Sequence, residues 1–283
     1  MPPVPHALAD LLRFEDGPIG PRAIVTTPRC DAEVYLHGAH VTRYAPRGRG
    51  DLLYLSPLSS YADGKAIRGG IPVVFPWFGE RSDGKPGPAH GYARTSRWRY
   101  VEARRLEEDV ELVLALEHEG LAASLRVRAG AVLDVELEVH NGGSAASSFE
   151  AALHTYLRVG DVRRAEIVGL AGSTYLDKTD GARRHTTGPA PLRIARETDQ
   201  VHLGTDAACT LLEGGRPLVE VAKRGAPSTV VWNPWIDKTR TMADLPPDAW
   251  QGFVCIEAGA IADDRITLAA GATHRLATTL RPR

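Results

Sequence analysis

A two-residue rhythm of apolar side chains across residues 110–139 constrains this chain more than any other feature. Val110, Leu112, Leu114 and Leu116 alternate with smaller or charged residues, and Leu125 and Val127 lie between Ser124, Arg126 and Arg128. Leu133, Val135, Leu137 and Val139 then lie between Asp134, Glu136 and Glu138. Successive side chains of a strand point to opposite faces, so the pattern predicts three half-buried strands. Glu119-Gly120, Ala129-Gly130 and Asn141-Gly142-Gly143 stand where tight turns are needed, which makes the strands consecutive and antiparallel. The rhythm returns at 210–212, 218–222, 229–232, 253–258, 266–269 and 275–280, while long helical periodicity is scarce. With 28 Gly and 20 Pro spread as punctuation and no linker or repeat, the expectation is an all-β, mainly antiparallel sandwich or barrel. It should form a single domain over 1–283.

Composition narrows the function. The 34 basic and 35 acidic residues give a formal charge of −1, so no global positive field gathers nucleic acid or an anionic membrane. No apolar run approaches the roughly 20 residues of a membrane-spanning helix, and the opening Met1-Pro-Pro-Val-Pro-His lacks the features of a secretion signal. Cys30, Cys209 and Cys255 are odd in number and far apart, which argues against a disulfide framework. A soluble cytoplasmic protein is expected. No GxSxG elbow, Walker loop or strand-linked GxGxxG is present, and His37-Gly-Ala-His40 lacks further ligands at a recognisable metal spacing.

Residues 58–97 are denser in Gly, Pro, aromatic and basic residues than a plain connection needs. In Ile67-Arg68-Gly69-Gly70-Ile71-Pro72, paired glycines allow close backbone approach beside Arg68, which is either aimed at an anion or a surface cation. In Ala89-His90-Gly91-Tyr92-Ala93-Arg94, His90 is open to a catalytic or a plain hydrogen-bonding role. Across residues 151–159, alternation places His154, Tyr156 and Arg158 on one face and Leu153, Thr155, Leu157 and Val159 on the other. That polar face is either the wall of a cleft or a solvated side. Glu257 lies within the apolar run Phe253-Val254-Cys255-Ile256-Glu257-Ala258, in phase with Phe253 and Cys255. Its surroundings should raise its pKa toward the range of a general base, unless an arginine pairs with it.

Together with Val73-Val74-Phe75-Pro76-Trp77-Phe78-Gly79 and Trp232-Asn233-Pro234-Trp235, these blocks resemble the glucose-6-phosphate 1-epimerase family. This is the hexose-6-phosphate mutarotase branch of the aldose 1-epimerases. The blocks follow the family's order over most of the chain. The resemblance implies a galactose-mutarotase-like β-supersandwich, with His154 as catalytic acid and Glu257 as catalytic base. It further implies that His90 assists in the sugar pocket, that Arg68 and Arg94 hold the substrate and its phosphate, and that Asp199 binds sugar hydroxyls. Ala89 departs from the polar residue usual before His-Gly, which removes one expected substrate contact. The implied reaction interconverts the α and β anomers of a hexose 6-phosphate through ring opening, with acid and base on opposite sides of the anomeric centre. His154 must then be protonated, with Glu257 as the neighbour that supports its charge. A small sugar phosphate is the expected partner and a monomer the expected state, with no cofactor or metal needed. A mutarotase for unphosphorylated aldoses and a non-enzymatic sugar-binding domain are the alternatives.

Overall fold

The computed structural model describes residues 2–81 and 83–283. Every strand ladder among them is antiparallel. The three strands read from residues 110–139 are present as Asp109–His118, Leu121–Ala129 and Leu133–Asn141. They lie in a nine-stranded sheet that continues through Thr273–Pro282, Arg216–Arg224 and Cys209–Glu213. Leu133, Val135, Leu137 and Val139 are all fully buried, as the rhythm requires.

Asp109–His118 differs from the half-buried expectation, since its run from Val110 to Leu114 is buried on both faces. The outward Glu111 is covered by Arg104 and Arg126, which donate to Oε1 over 2.8 and 3.0 Å. Their alkyl stems can shield the sheet while their charged heads stay wet. A four-stranded sheet of Leu12–Gly17, Gly20–Thr26, Cys30–Tyr35 and His40–Pro46 precedes the parts read from sequence. Its burial alternates weakly, and His40–Pro46 is buried at six of seven positions, so no period-2 signal marks it.

The second large sheet has eight strands. Its centre runs from Thr198–Leu203 through Ser228–Asn233 and Phe253–Ala260 to Ala151–Leu153 and Val73–Val74, with Tyr156–Arg158 also paired to Phe253–Ala260. All eight residues of Phe253–Ala260 are buried. Val254, Ile256 and Ala258 join the main core with Leu125, Leu137 and Leu276 of the nine-stranded sheet. Phe253 and Cys255 join a smaller cluster on the opposite face with Tyr54, Tyr156, Val230 and Trp232. The eight-stranded sheet therefore has an interior on each side. The main core holds the two sheets together, and each large apolar side chain it buries contributes about 1.5–3 kcal/mol.

His202, on Thr198–Leu203, is fully buried, with Nδ1 2.8 Å from Ser173 Oγ. Burial, with Lys223 nearby, pushes its pKa down to about 4. The folded value is below the unfolded one, so acid protonates the unfolded chain first. The group's stability contribution is complete above about pH 6.5 and is lost as pH falls toward about 4. Between about pH 7 and pH 4, His202→Asn should lose about 2–3 kcal/mol less stability than wild type in urea unfolding. Parallel pH profiles for the two proteins would refute this.

Candidate active site

The strand across residues 151–159 is interrupted at His154 and Thr155, which separate Ala151–Leu153 from Tyr156–Arg158. Its register is nevertheless continuous: Leu153 is opposite Ala258 and Tyr156 is opposite Cys255. His154 therefore falls opposite Glu257 on the neighbouring strand, and alternation turns both toward the smaller cluster. His154 Nδ1 comes within 3.3 Å of Glu257 Oε1. His154 stacks on Tyr156 with ring centroids 4.7 Å apart and an 11° interplanar angle, and the edge of Trp232 closes another side. Packing thus fixes the imidazole plane.

The two groups are 6% and 1% exposed, and neither His154 Nδ1 nor either Glu257 oxygen has a hydrogen-bond partner within the protein. Buried polar atoms are almost always paired, so three orphans in one contact mark a place prepared for something else. Burial pushes the Glu257 carboxyl well above its ordinary range, with Asp199 adding to the effect. Burial also holds His154 well below its ordinary value, reinforced by His90, Arg94 and Arg68. Both directions favour a neutral pair, a carboxylic acid beside an uncharged imidazole. The protonated His154 expected from sequence is opposed because burial and the neighbouring Arg94 and Arg68 work against a further positive charge.

A cavity of about 280 Å³ opens onto the pair and is lined by Arg68, His90, Arg94 and Asp199 as well, so all six expected site residues meet there. His90 has a positive φ of 65° and accepts from the Gly79 N–H at Nδ1 over 3.3 Å. Its pKa is pushed down to about 3, chiefly by burial and next by Arg94, so the neutral ring carries its proton on Nε2. Arg94 donates from Nη2 to the Ala89 carbonyl at 2.8 Å, and its buried Nε lacks a partner. Ala89 thus contributes a carbonyl to hold Arg94 where a polar side chain was missed. Arg68 donates to Asp244 Oδ2 at 2.9 Å and to the Tyr156 hydroxyl at 3.0 Å. Burial opposes its charge, but Tyr156 and Asp244 together outweigh that and keep it ionised. Arg68 is therefore neither a surface cation nor an unpaired one. Asp199 has its carboxyl raised by burial.

Sequence reading missed Lys178, Lys238, Phe78, Trp232 and Met242 as pocket walls. Lys178 lies over the Phe78 ring at 4.7 Å, and Lys238 is tied to Glu197 at 2.8 Å. Asn233 could have signalled Lys238: its amide nitrogen holds the Trp250 and Phe253 carbonyls, while its Oδ1 accepts the Trp235 N–H at the start of helix Trp235–Thr241. The His37 and His40 rings bond the Lys65 and Gly69 carbonyls, each over 2.7 Å, and so pin the loop that presents Arg68.

The family model for aldose 1-epimerase matches residues 22–281. This chain belongs to the aldose 1-epimerase family. It is 31% identical over 247 residues to an Escherichia coli K12 protein named "Putative glucose-6-phosphate 1-epimerase", covering 83% of this chain and 81% of that one. A Cenchrus ciliaris protein of the same name is 29% identical over 291 residues, covering 96% and 87%. Among solved structures, a Salmonella typhimurium protein titled a "putative mutarotase" superposes with a TM-score of 0.88 at 27% identity, over 98% of this chain and 95% of that one. The architecture is the galactose-mutarotase-like β-supersandwich. Within this aldose 1-epimerase fold, Gly70 has φ 65°, and a Cβ there would lie 2.3 Å from the Val41 carbonyl oxygen. Gly70→Ala should cost about 2 kcal/mol or more, seen as a lowered urea midpoint. An unchanged midpoint would show that Gly70 is dispensable.

Proposed function

We propose that this aldose 1-epimerase interconverts the α and β anomers of a hexose 6-phosphate, with glucose 6-phosphate the first substrate to test. The observation that carries the reading is the unsatisfied His154–Glu257 pair at the wall of a pocket lined by four cations and two carboxyl groups. The two oxygens that exchange protons in mutarotation share one carbon, so their acid and base need only be a few ångströms apart. A pair 3.3 Å apart suits that demand. One member takes the proton of the anomeric hydroxyl while the other protonates the ring oxygen. The C1 to ring-oxygen bond breaks as the C1 carbonyl forms. Rotation about C1–C2 presents the other face, and closure returns both protons with the roles reversed. The pair carries one transferable proton throughout, so a neutral pair serves as well as a charged one.

The excess of cations favours an anionic sugar over a neutral one. Arg94 has a free Nε for the phosphate, Lys178 adds positive charge, and Arg68 is held in place by Asp244. Neutral His90 offers an Nε2–H to a sugar oxygen, and Asp199 accepts from hydroxyls. Three supporting readings belong to the same proposal. The chain acts as one domain, since one buried cluster runs from Leu8 to Leu280. It acts as a monomer, since Leu58 and Val101 are the exposed large apolar residues among those described. It works in a reducing cytoplasm, which suits three free, buried cysteines. No helix is long and apolar enough to cross a membrane.

Anomer exchange followed by NMR saturation transfer tests the assignment. Glu257→Gln should slow exchange of glucose 6-phosphate by about 100-fold or more while binding persists. Unimpaired exchange would remove Glu257 from the chemistry, and a silent wild type that still binds would indicate a sugar-binding module. Arg94→Gln should raise KM for the phosphorylated sugar by about 10-fold or more and leave glucose unaffected. Equal exchange of both sugars by wild type would instead favour a mutarotase for unphosphorylated aldoses.

A further inference from the structure

Cys255 has no part in the reaction just described, yet it lies beside the reacting pair. It shares one face of Phe253–Ala260 with Glu257 and is opposite both Tyr156 and Trp232. One donor atom each from His154, Cys255 and Glu257 lies within 4.8 Å of the others, and all three residues are buried. We propose that these residues form a binding site for a thiophilic divalent cation, Zn²⁺ above all, which excludes the sugar when filled.

Three observations converge on it. Tetrahedral zinc holds nitrogen and oxygen at about 2.0 Å and sulfur at about 2.3 Å, so its ligand atoms are roughly 3.3–3.6 Å apart. His154 Nδ1 and Glu257 Oε1 are already 3.3 Å apart, and the three residues' donor atoms lie within 4.8 Å of one another, so closing the set asks for a shift of about 1 Å. The same nitrogen and both carboxylate oxygens have no competing hydrogen bond to break. Binding displaces the protons of the Cys255 thiol and the Glu257 carboxylic acid to solvent, and the resulting thiolate and carboxylate carry two negative charges, which the divalent ion cancels in a water-poor place. Imidazole with thiolate selects zinc over magnesium or calcium, which prefer all-oxygen shells. His154 and Glu257 line the cavity, from which a water would complete the shell. This site stands on geometry alone; its effect on turnover rests on the acid–base reading above.

Cobalt(II) is a suitable probe for the full-length protein after chelator treatment. Wild type should develop a thiolate-to-cobalt charge-transfer band in the near ultraviolet, and Zn²⁺ should displace it. Cys255→Ser, and Cys255→Ala as a second variant, should lose the band and bind Zn²⁺ about 10-fold or more weakly, with unchanged circular dichroism. Cys30→Ala and Cys209→Ala should retain it. Zn²⁺ should inhibit anomer exchange by wild type at a concentration at least about 10-fold below that needed for Cys255→Ser. A missing band in wild type, or one that survives in folded Cys255 variants, would overturn the site. A band with no anomer exchange by the metal-free protein would leave the site standing and refute the acid–base reading.

Discussion

The contact between His154 and Glu257 is the constraint around which the rest of this molecule is arranged. Each unsatisfied buried polar atom costs about 1–3 kcal/mol, and this contact holds three. Such a group survives only where the surroundings leave it no alternative partner. The eight-stranded sheet provides that condition by fixing the two residues opposite one another on adjacent strands, with the backbone amide of His154 bound to the Pro72 carbonyl. Tyr156 and Trp232 then block the rotations by which the imidazole would seek water. The main core on the other face of the sheet offsets the cost, since Val254 and Ile256 alternate with the site residues along the same strand.

The loops over the pocket follow a similar logic, with backbone groups fixing side chains. Gly70 and Gly91 press against the Val41 and Phe75 carbonyls, leaving no room for a Cβ at either position. These contacts fix Arg68 and His90 beside them. Glu150 joins the loop to the sheet by accepting the Phe78 N–H at one oxygen and the Ala262 N–H at the other. None of these groups touches the reacting pair, but each restricts where a touching residue can stand. Positioning of this kind is a main source of rate, since small displacements of catalytic groups weaken catalysis strongly.

Legibility in the sequence tracked how local each determinant is. The strands of residues 110–139 were readable because one face of each meets the core and the pattern repeats every two residues. Phe253–Ala260 was readable for another reason: a carboxylate inside an apolar run has few explanations. The N-terminal four-stranded sheet was hidden because burial on both faces of His40–Pro46 erases the alternation. Lys178 was hidden because nothing in Asp177-Lys178-Thr179-Asp180 marks it as other than a surface turn; its place comes from the Asp177 side chain, which accepts the Thr179 N–H. The charge state of His154 was not legible in its own strand for a physical reason. Glu257 alone would favour the imidazolium, but burial, His90, Arg94 and Arg68 are supplied by parts of the chain remote in sequence.

A second cavity shows why polarity by itself does not locate the chemistry. It is about 200 Å³ and includes Arg81, Asp83, Glu150 and Arg265 in its lining. Most of its charges already have partners: Arg81 holds Asp83 through two hydrogen bonds, Arg265 donates to the Ala262 carbonyl, and Glu150 is bound to two backbone amides, which leaves His118 Nε2 as its one buried side-chain atom without a partner among the described residues. A ligand entering there would have to displace bonds that the fold has made. In the pocket over the eight-stranded sheet, Arg94 Nε, His154 Nδ1 and both oxygens of Glu257 are left without protein partners. A sugar hydroxyl meeting them gains hydrogen bonds without breaking any within the protein, and a metal ion has only protons to displace, so the same unmet valences that suit the site to an anomeric centre also open it to zinc.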